Sequence, residues 1–189
     1  MAAPFIVFSL PRSRSAWISR FLSYGGRRCG HDIAAECGTL NEFVGKLRGE
    51  YAGTAETYTV IGWRALRSRL SDAKVVVVRR PISDVVNSSA RFVGRSTALV
   101  DVLTELNGKL DEISCFGDVK SFTFDELSTE GACRRLFEHC LGETFDREWW
   151  QSLVNVNVQV DVPERLNYFA ANRSRIESFT RDITTCLSL

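Results

Sequence analysis

Apolar and polar positions follow two periods along this chain. Phe5-Ile-Val-Phe8 is an unbroken apolar run that stops just before Pro11. Trp17, Ile18, Phe21 and Leu22 then recur at helical spacing as far as the Gly25-Gly26 stop. That order predicts strand, short turn, helix. Thr39-Leu-Asn-Glu42 has capping-box spacing, and Leu40, Phe43, Val44 and Leu47 give the next helix an apolar stripe. Thr57 to Ile61 alternates weakly and predicts a strand, with a helical piece from Ala65 to Leu70. Lys74-Val-Val-Val-Val78 is the clearest strand, and its β-branched run suits a central parallel position buried on both faces. After Pro81 helical patterning runs to about Ile113, broken near Gly94. Val119 to Phe124 predicts a further strand, and Ser128 to about Gly142 a further helix. The remainder reads as helical and interrupted at Pro163, with Trp149, Trp150, Leu153, Leu166, Phe169, Ile176 and Phe179 as core contacts. Strands alternating with helices predict an α/β protein with a mainly parallel sheet in three layers. One domain over 1–189 is expected, motif-bearing over 5–145 and helical over 146–189.

Composition adds bounds to this picture. The chain has 189 residues, 44% hydrophobic and 25% charged, with a formal net charge of +1. No global field draws it to nucleic acid or to a membrane surface. Arginine is nevertheless concentrated, at Arg12, Arg14, Arg20, Arg27 and Arg28 and again at Arg79, Arg80, Arg91 and Arg95. Two basic islands in a near-neutral chain point either to a polyanionic ligand or to two solvated helix faces. The six cysteines, Cys29, Cys37, Cys115, Cys133, Cys140 and Cys186, form no CxxC pair and no metal spacing. They read as reduced, mostly buried small residues of a cytoplasmic protein. The first apolar stretch is too short for a signal peptide, and no stretch is long enough for a membrane span.

Candidate chemistry begins at the first turn. A strand that ends in a tight turn and opens a helix aims backbone N–H groups and the positive end of the helix dipole at one spot. Arg12, Ser13 and Ser15 add side-chain donors there. In a parallel sheet ligands sit beyond the carboxyl ends of the strands, which is where Arg79-Arg80-Pro81 falls. An Arg at that strand end and Ser88 on the next helix are able to close around one phosphate.

Together these segments resemble the sulfotransferase family, whose donor is 3′-phosphoadenylyl sulfate. Pro11-Arg12-Ser13-Arg14-Ser15-Ala16-Trp17 is similar to its 5′-phosphosulfate loop, and Arg79-Arg80-Pro81 through Ser88 to its 3′-phosphate motif. Phe124-Asp125-Glu126-Leu127 and Leu136-Phe137-Glu138-His139-Cys140-Leu141-Gly142 resemble later family stretches in the same order. The resemblance implies a P-loop-like nucleotide-binding fold. It also implies transfer of sulfonate, without a metal, to an acceptor hydroxyl or amine on a small molecule, carbohydrate or peptide. Arg12 would hold the bridging and leaving-group oxygens. The N–H groups of Ser13, Arg14, Ser15, Ala16 and Trp17 and the Ser15 hydroxyl would hold the 5′-phosphate. Arg79 and Ser88 would hold the 3′-phosphate, with Arg80, Asn87 and Ser89 as substitutes if the register slips. Trp17 itself reads as a core residue. Two departures stand out: Arg14 occupies the loop position where the family has Gly, and the late Gly-rich and Trp-Lys segment is missing.

An acceptor hydroxyl needs a base. Of the two histidines, His139 falls within an apolar helix pattern and reads as structural. His31 follows the first helix beside Asp32 and is the candidate base, or else a surface loop residue; Asp32 and Glu36 are alternatives. Two other functions fit parts of the pattern. A P-loop kinase or NTPase would need G-x-x-x-x-G-K-[ST] and a metal-holding acid at the strand end, where Arg79-Arg80 stands instead. A non-catalytic module of the same fold would bind the phosphonucleotide without turning it over.

Overall fold

In the computed structural model of the chain, which describes residues 3–158 and 161–186, the Phe5 run becomes the centre of a parallel sheet. Five strands, β1 (Phe5–Ser9), β2 (Cys29–His31), β3 (Gly53–Glu56), β4 (Lys74–Arg79) and β5 (Lys120–Thr123), lie in the order β2-β3-β1-β4-β5. β1 pairs with β3 through Phe8 opposite Glu56, and with β4 through Ser9 opposite Val78. The expected α/β class and parallel sheet are therefore present, in three layers.

Side-chain alternation divides the sheet between two cores. Ile6, Phe8, Val75 and Val77 face helices α2 (Leu40–Glu50), α3 (Trp63–Arg69), α4 (Ile82–Val93) and α5 (Thr97–Ser114). Phe179 and Ile183 of α9 (Arg173–Cys186) join the same cluster. Phe5, Val7, Val76 and Val78 face α1 (Ser15–Phe21), α6 (Glu130–Leu141) and α7 (Arg147–Val154) on the other side. Two indoles fasten α1 to α7: Trp17 Nε1 donates to the Leu153 carbonyl and Trp149 Nε1 to that of Phe21, both at 2.9 Å.

Several expected elements shift. The strand expected over Thr57 to Ile61 lies earlier, at Gly53–Glu56, and Thr59–Gly62 is a 3₁₀ turn. β3 carries no apolar run because its neighbours approach too closely; a Cβ on Gly53 would meet the Phe5 ring at 2.3 Å. The short edge strand β2 was not expected. Gly94 does divide α4 from α5, at φ 77°. Pro163 does not interrupt a helix but occupies the first turn of α8 (Val162–Ala171), where its missing N–H costs nothing. The chain between α7 and α8 is irregular over 155–158 rather than helical. Leu153 and Phe179 are buried as expected, but Leu166 is 45% exposed. Cys29, Cys37, Cys133 and Cys140 are buried free thiols and Cys115 is exposed, while the Cys186 side chain lies outside the described residues. Among the described residues no helix is long and apolar enough to cross a membrane.

Candidate functional site

The topology makes one crevice. From β1 the chain turns outward through α1 on one face, whereas β3 and β4 continue into helices on the other. Neighbouring strands that send their chains to opposite faces leave a gap beyond their carboxyl ends. A cleft of about 340 Å³ opens there, bounded by Arg12, Arg14, Ser15, Ala16, His31, Asp32 and Arg80 on the polar side. Phe124, Val158, Leu166 and Phe169 form its apolar wall.

The turn that starts α1 is strained. Arg12 and Arg14 hold φ 65° and φ 68°, the left-handed region that L-residues avoid. Arg14 is therefore in the backbone state that glycine would adopt freely, at the residue where the family loop has glycine. No side chain caps α1, and the first N–H groups of any helix lack intrahelical partners.

Three guanidinium groups border the cleft, and among the described residues none pairs with a carboxylate. Arg12 Nε donates to Ser88 Oγ at 3.3 Å, and its guanidinium lies 4.7 Å from the Phe92 ring centroid. Arg14 Nη1 donates to the Leu127 carbonyl at 3.1 Å. Arg14 and Arg80 both rest on the Phe124 ring, 4.6 and 4.3 Å from its centroid. Arg80 Nη1 also donates to the Arg12 carbonyl. Around the same strand ends Ser9 Oγ, Ser13 Oγ, Ser89 Oγ and Arg80 Nε are buried and make no hydrogen bond. Buried polar atoms left unpaired are costly and call for an explanation.

Arg79 is placed elsewhere than the resemblance implies. Its guanidinium reaches α5, donating to the Asn107 carbonyl at 3.2 Å and pairing with Asp111. Side chains alternate along a strand, so Arg79 shares the face of Val75 and Val77 while Arg80 shares that of Val76, Val78 and α1. Arg80, the expected substitute, is the one on the cleft. Ser88 is at hand through Arg12, and Ser89 is buried beside it. Asn87 is exposed. Trp17 contributes only its backbone; its ring stacks on Phe21 at 4.9 Å inside the core.

His31 ends β2 at the cleft. Its Nε2 is 3.0 Å from Ser15 Oγ and 3.6 Å from Asp32 Oδ2. Asp32 sits at φ 51°, which turns its carboxylate back toward the adjacent ring; neighbours in extended chain would point apart. Its Oδ1 accepts from the Thr57 N–H at 2.7 Å and the Thr57 hydroxyl at 3.0 Å. Ser15 and Asp32 approach the same ring nitrogen, so this trio is not a serine–histidine–aspartate relay, which uses both. Glu36 pairs with Lys46 instead. His139 lies on α6 near Lys74 and Lys120, at the amino ends of the strands and away from the cleft. Burial, then those two cations, lowers its pKa.

Thr57, Val158, Leu166 and Phe169 also line the cleft without having been singled out for it. An apolar pair at helical spacing, such as Leu166 and Phe169, signals a buried face equally well whether a core or a ligand covers it. Comparison with family models and with curated proteins gives no match.

Proposed function

We propose that the cleft binds a nucleotide carrying two separated phosphates and that the protein is a sulfotransferase-like enzyme using 3′-phosphoadenylyl sulfate. The observation that carries this reading is the set Arg12, Arg14 and Arg80: three cations bordering one strand-end cleft, none of which pairs with a carboxylate among the described residues. Elsewhere arginines meet acids, as Arg48 meets Asp72 and Arg67 meets Asp118. Guanidinium groups supply to a bisphosphate the countercharge that a divalent ion supplies to a triphosphate. The unpaired Arg80 Nε–H supplies further hydrogen-bonding capacity at the cleft.

In this reading Arg12 neutralises charge growing on the leaving phosphate, the Ser13–Trp17 N–H groups hold the 5′-phosphate, and Arg80 with Ser88 holds the 3′-phosphate. Positioning and charge neutralisation carry such a transfer, by analogy with phosphoryl transfer. His31 takes the proton of the acceptor hydroxyl, and Asp32 steadies the imidazolium that results. Adenosine 3′,5′-bisphosphate without metal should raise the melting temperature. Arg12→Ala and Arg80→Ala should each weaken its binding by about tenfold or more, as loss of a charge-assisted bond does, while Arg79→Ala leaves affinity unchanged. His31→Ala should retain binding and lose about a hundredfold or more in turnover. No shift with the bisphosphate, or a larger one with Mg-ATP, would overturn the reading.

A further inference from the structure

A fully buried carboxyl group lies beneath the cleft and has no part in the roles assigned so far. Glu56 ends β3 opposite Phe8 and is 0% exposed. Its Oε1 accepts from Thr54 Oγ1 at 2.7 Å, and its Oε2 has no hydrogen-bond partner. The Asp32 carboxylate and the Cys29 and Cys37 thiols interact with it electrostatically, and the backbone N–H groups of Ile33 and Ala34 donate toward it. Half-satisfied buried carboxyls are expensive, and acids in such settings gather at functional sites.

We propose that Glu56 is a positioning residue of the cleft, acting through Asp32 on His31 and Thr57. Burial, and after it the Asp32 charge, pushes the Glu56 pKa well above the usual carboxylate range. Two carboxylates facing each other away from water do not both ionise readily. Of the pair, Glu56 is the one driven toward its protonated form. In that state Asp32 accepts both Thr57 bonds and keeps its place beside His31 Nε2. Ionising Glu56 sets a second negative charge against Asp32, loosens those bonds and lays negative potential under a cleft bordered by three arginines. The role does not depend on which anion the cleft takes.

The test follows the His31 ring and Thr57 amide signals of the full-length ¹⁵N-labelled chain by NMR, from about pH 5.5 to about 9.5. Besides any transition of the ring itself, the wild type should show one further transition above the usual carboxylate range, shared by both residues. Glu56→Gln keeps the shape and removes the charge, so the transition should vanish while the Thr57 amide stays near its wild-type low-pH position. Thr54→Val removes a bond that favours the ionised carboxyl, so it should move the transition upward. A wild type without the second transition, its survival in Glu56→Gln, or a downward move in Thr54→Val would overturn the proposal. A residue that only filled space would leave these pH profiles unchanged. Affinity for adenosine 3′,5′-bisphosphate should fall about tenfold across the transition in wild type and stay level in Glu56→Gln. If the bisphosphate binds at neither end, the ligand assignment under Proposed function fails, and the NMR profiles still decide the role of Glu56.

Discussion

Arg12, Arg14 and Asp32 are the described non-glycine residues with positive φ, and all three border the cleft. Backbone strain of this kind costs of order 1 kcal/mol per residue and persists where the surroundings enforce it. At Arg14 it can be separated from the side chain's own contacts. Arg14→Ala keeps the strain and loses the Phe124 stacking and the Leu127 bond; Arg14→Gly loses the same contacts but relaxes the backbone. Chemical denaturation should therefore find the Gly variant about 1 kcal/mol more stable than the Ala variant. Two titrating groups set a second expectation. A carboxyl with a raised folded-state pKa, as in Glu56, stabilises fully below the ordinary carboxylate range and loses that contribution as pH rises through the folded value. His139, with a lowered folded-state pKa, acts oppositely and weakens the fold as pH drops below the ordinary histidine value. In thermal melts Glu56→Gln should remove the loss of stability that sets in above the ordinary carboxylate range, and His139→Gln the loss below the ordinary histidine value. At this scale the sequence was partly legible. The turn with Arg12 at the end of β1 was readable from spacing, and the choice between Arg79 and Arg80 was not. Strand alternation separates those two arginines, but only the placement of α1 says which face is the cleft.

At the level of elements, hydrophobic patterning located β1 and β4, the α4–α5 break and the Gly142 end of α6, where the terminal glycine adopts φ 68°. It failed at β3. Gly53-Thr-Ala-Glu56 is fully buried, yet its small and polar residues satisfy close approach to Phe5 rather than an apolar rhythm. It also read 155–158 as helix, although Val and Asn alternate there, a period that argues against one. The Thr39 cap was legible and its forward half is formed, with Thr39 Oγ1 accepting from the Glu42 N–H at 3.1 Å, while Glu42 Oε2 accepts at 2.6 Å from the N–H of Gly38, one residue before the cap. α2 has a second cap from a distant element, since Asp182 Oδ2 accepts from the Leu40 N–H at 2.7 Å. Thr39→Ala should destabilise by about 1 kcal/mol in urea unfolding. Asp182→Ala should add to it, because each cap serves a different N–H group.

Across the whole molecule the cleft exists because β1 sends its chain to one face while its neighbours β3 and β4 send theirs to the other, and α9 holds the larger core closed. Ile183 presses on Gly62 so closely that a Cβ there would meet its Cγ2 at 1.9 Å. Gly62→Ala should therefore cost about 1–3 kcal/mol, and Ile183→Ala in the same chain should relieve part of it, as a double-mutant cycle would show. The central place of β1 also sets an order for synthesis on the ribosome. Of the five described strands the earliest made is the innermost, and its partners follow only later, β3 after α2 and β4 after α3. One of its faces waits for α6 and α7, and the other is sealed last by Phe179 and Ile183. Until those helices are made the apolar β1 lacks part of its cover, which makes the emerging chain a natural client for chaperones that shield nascent hydrophobic segments.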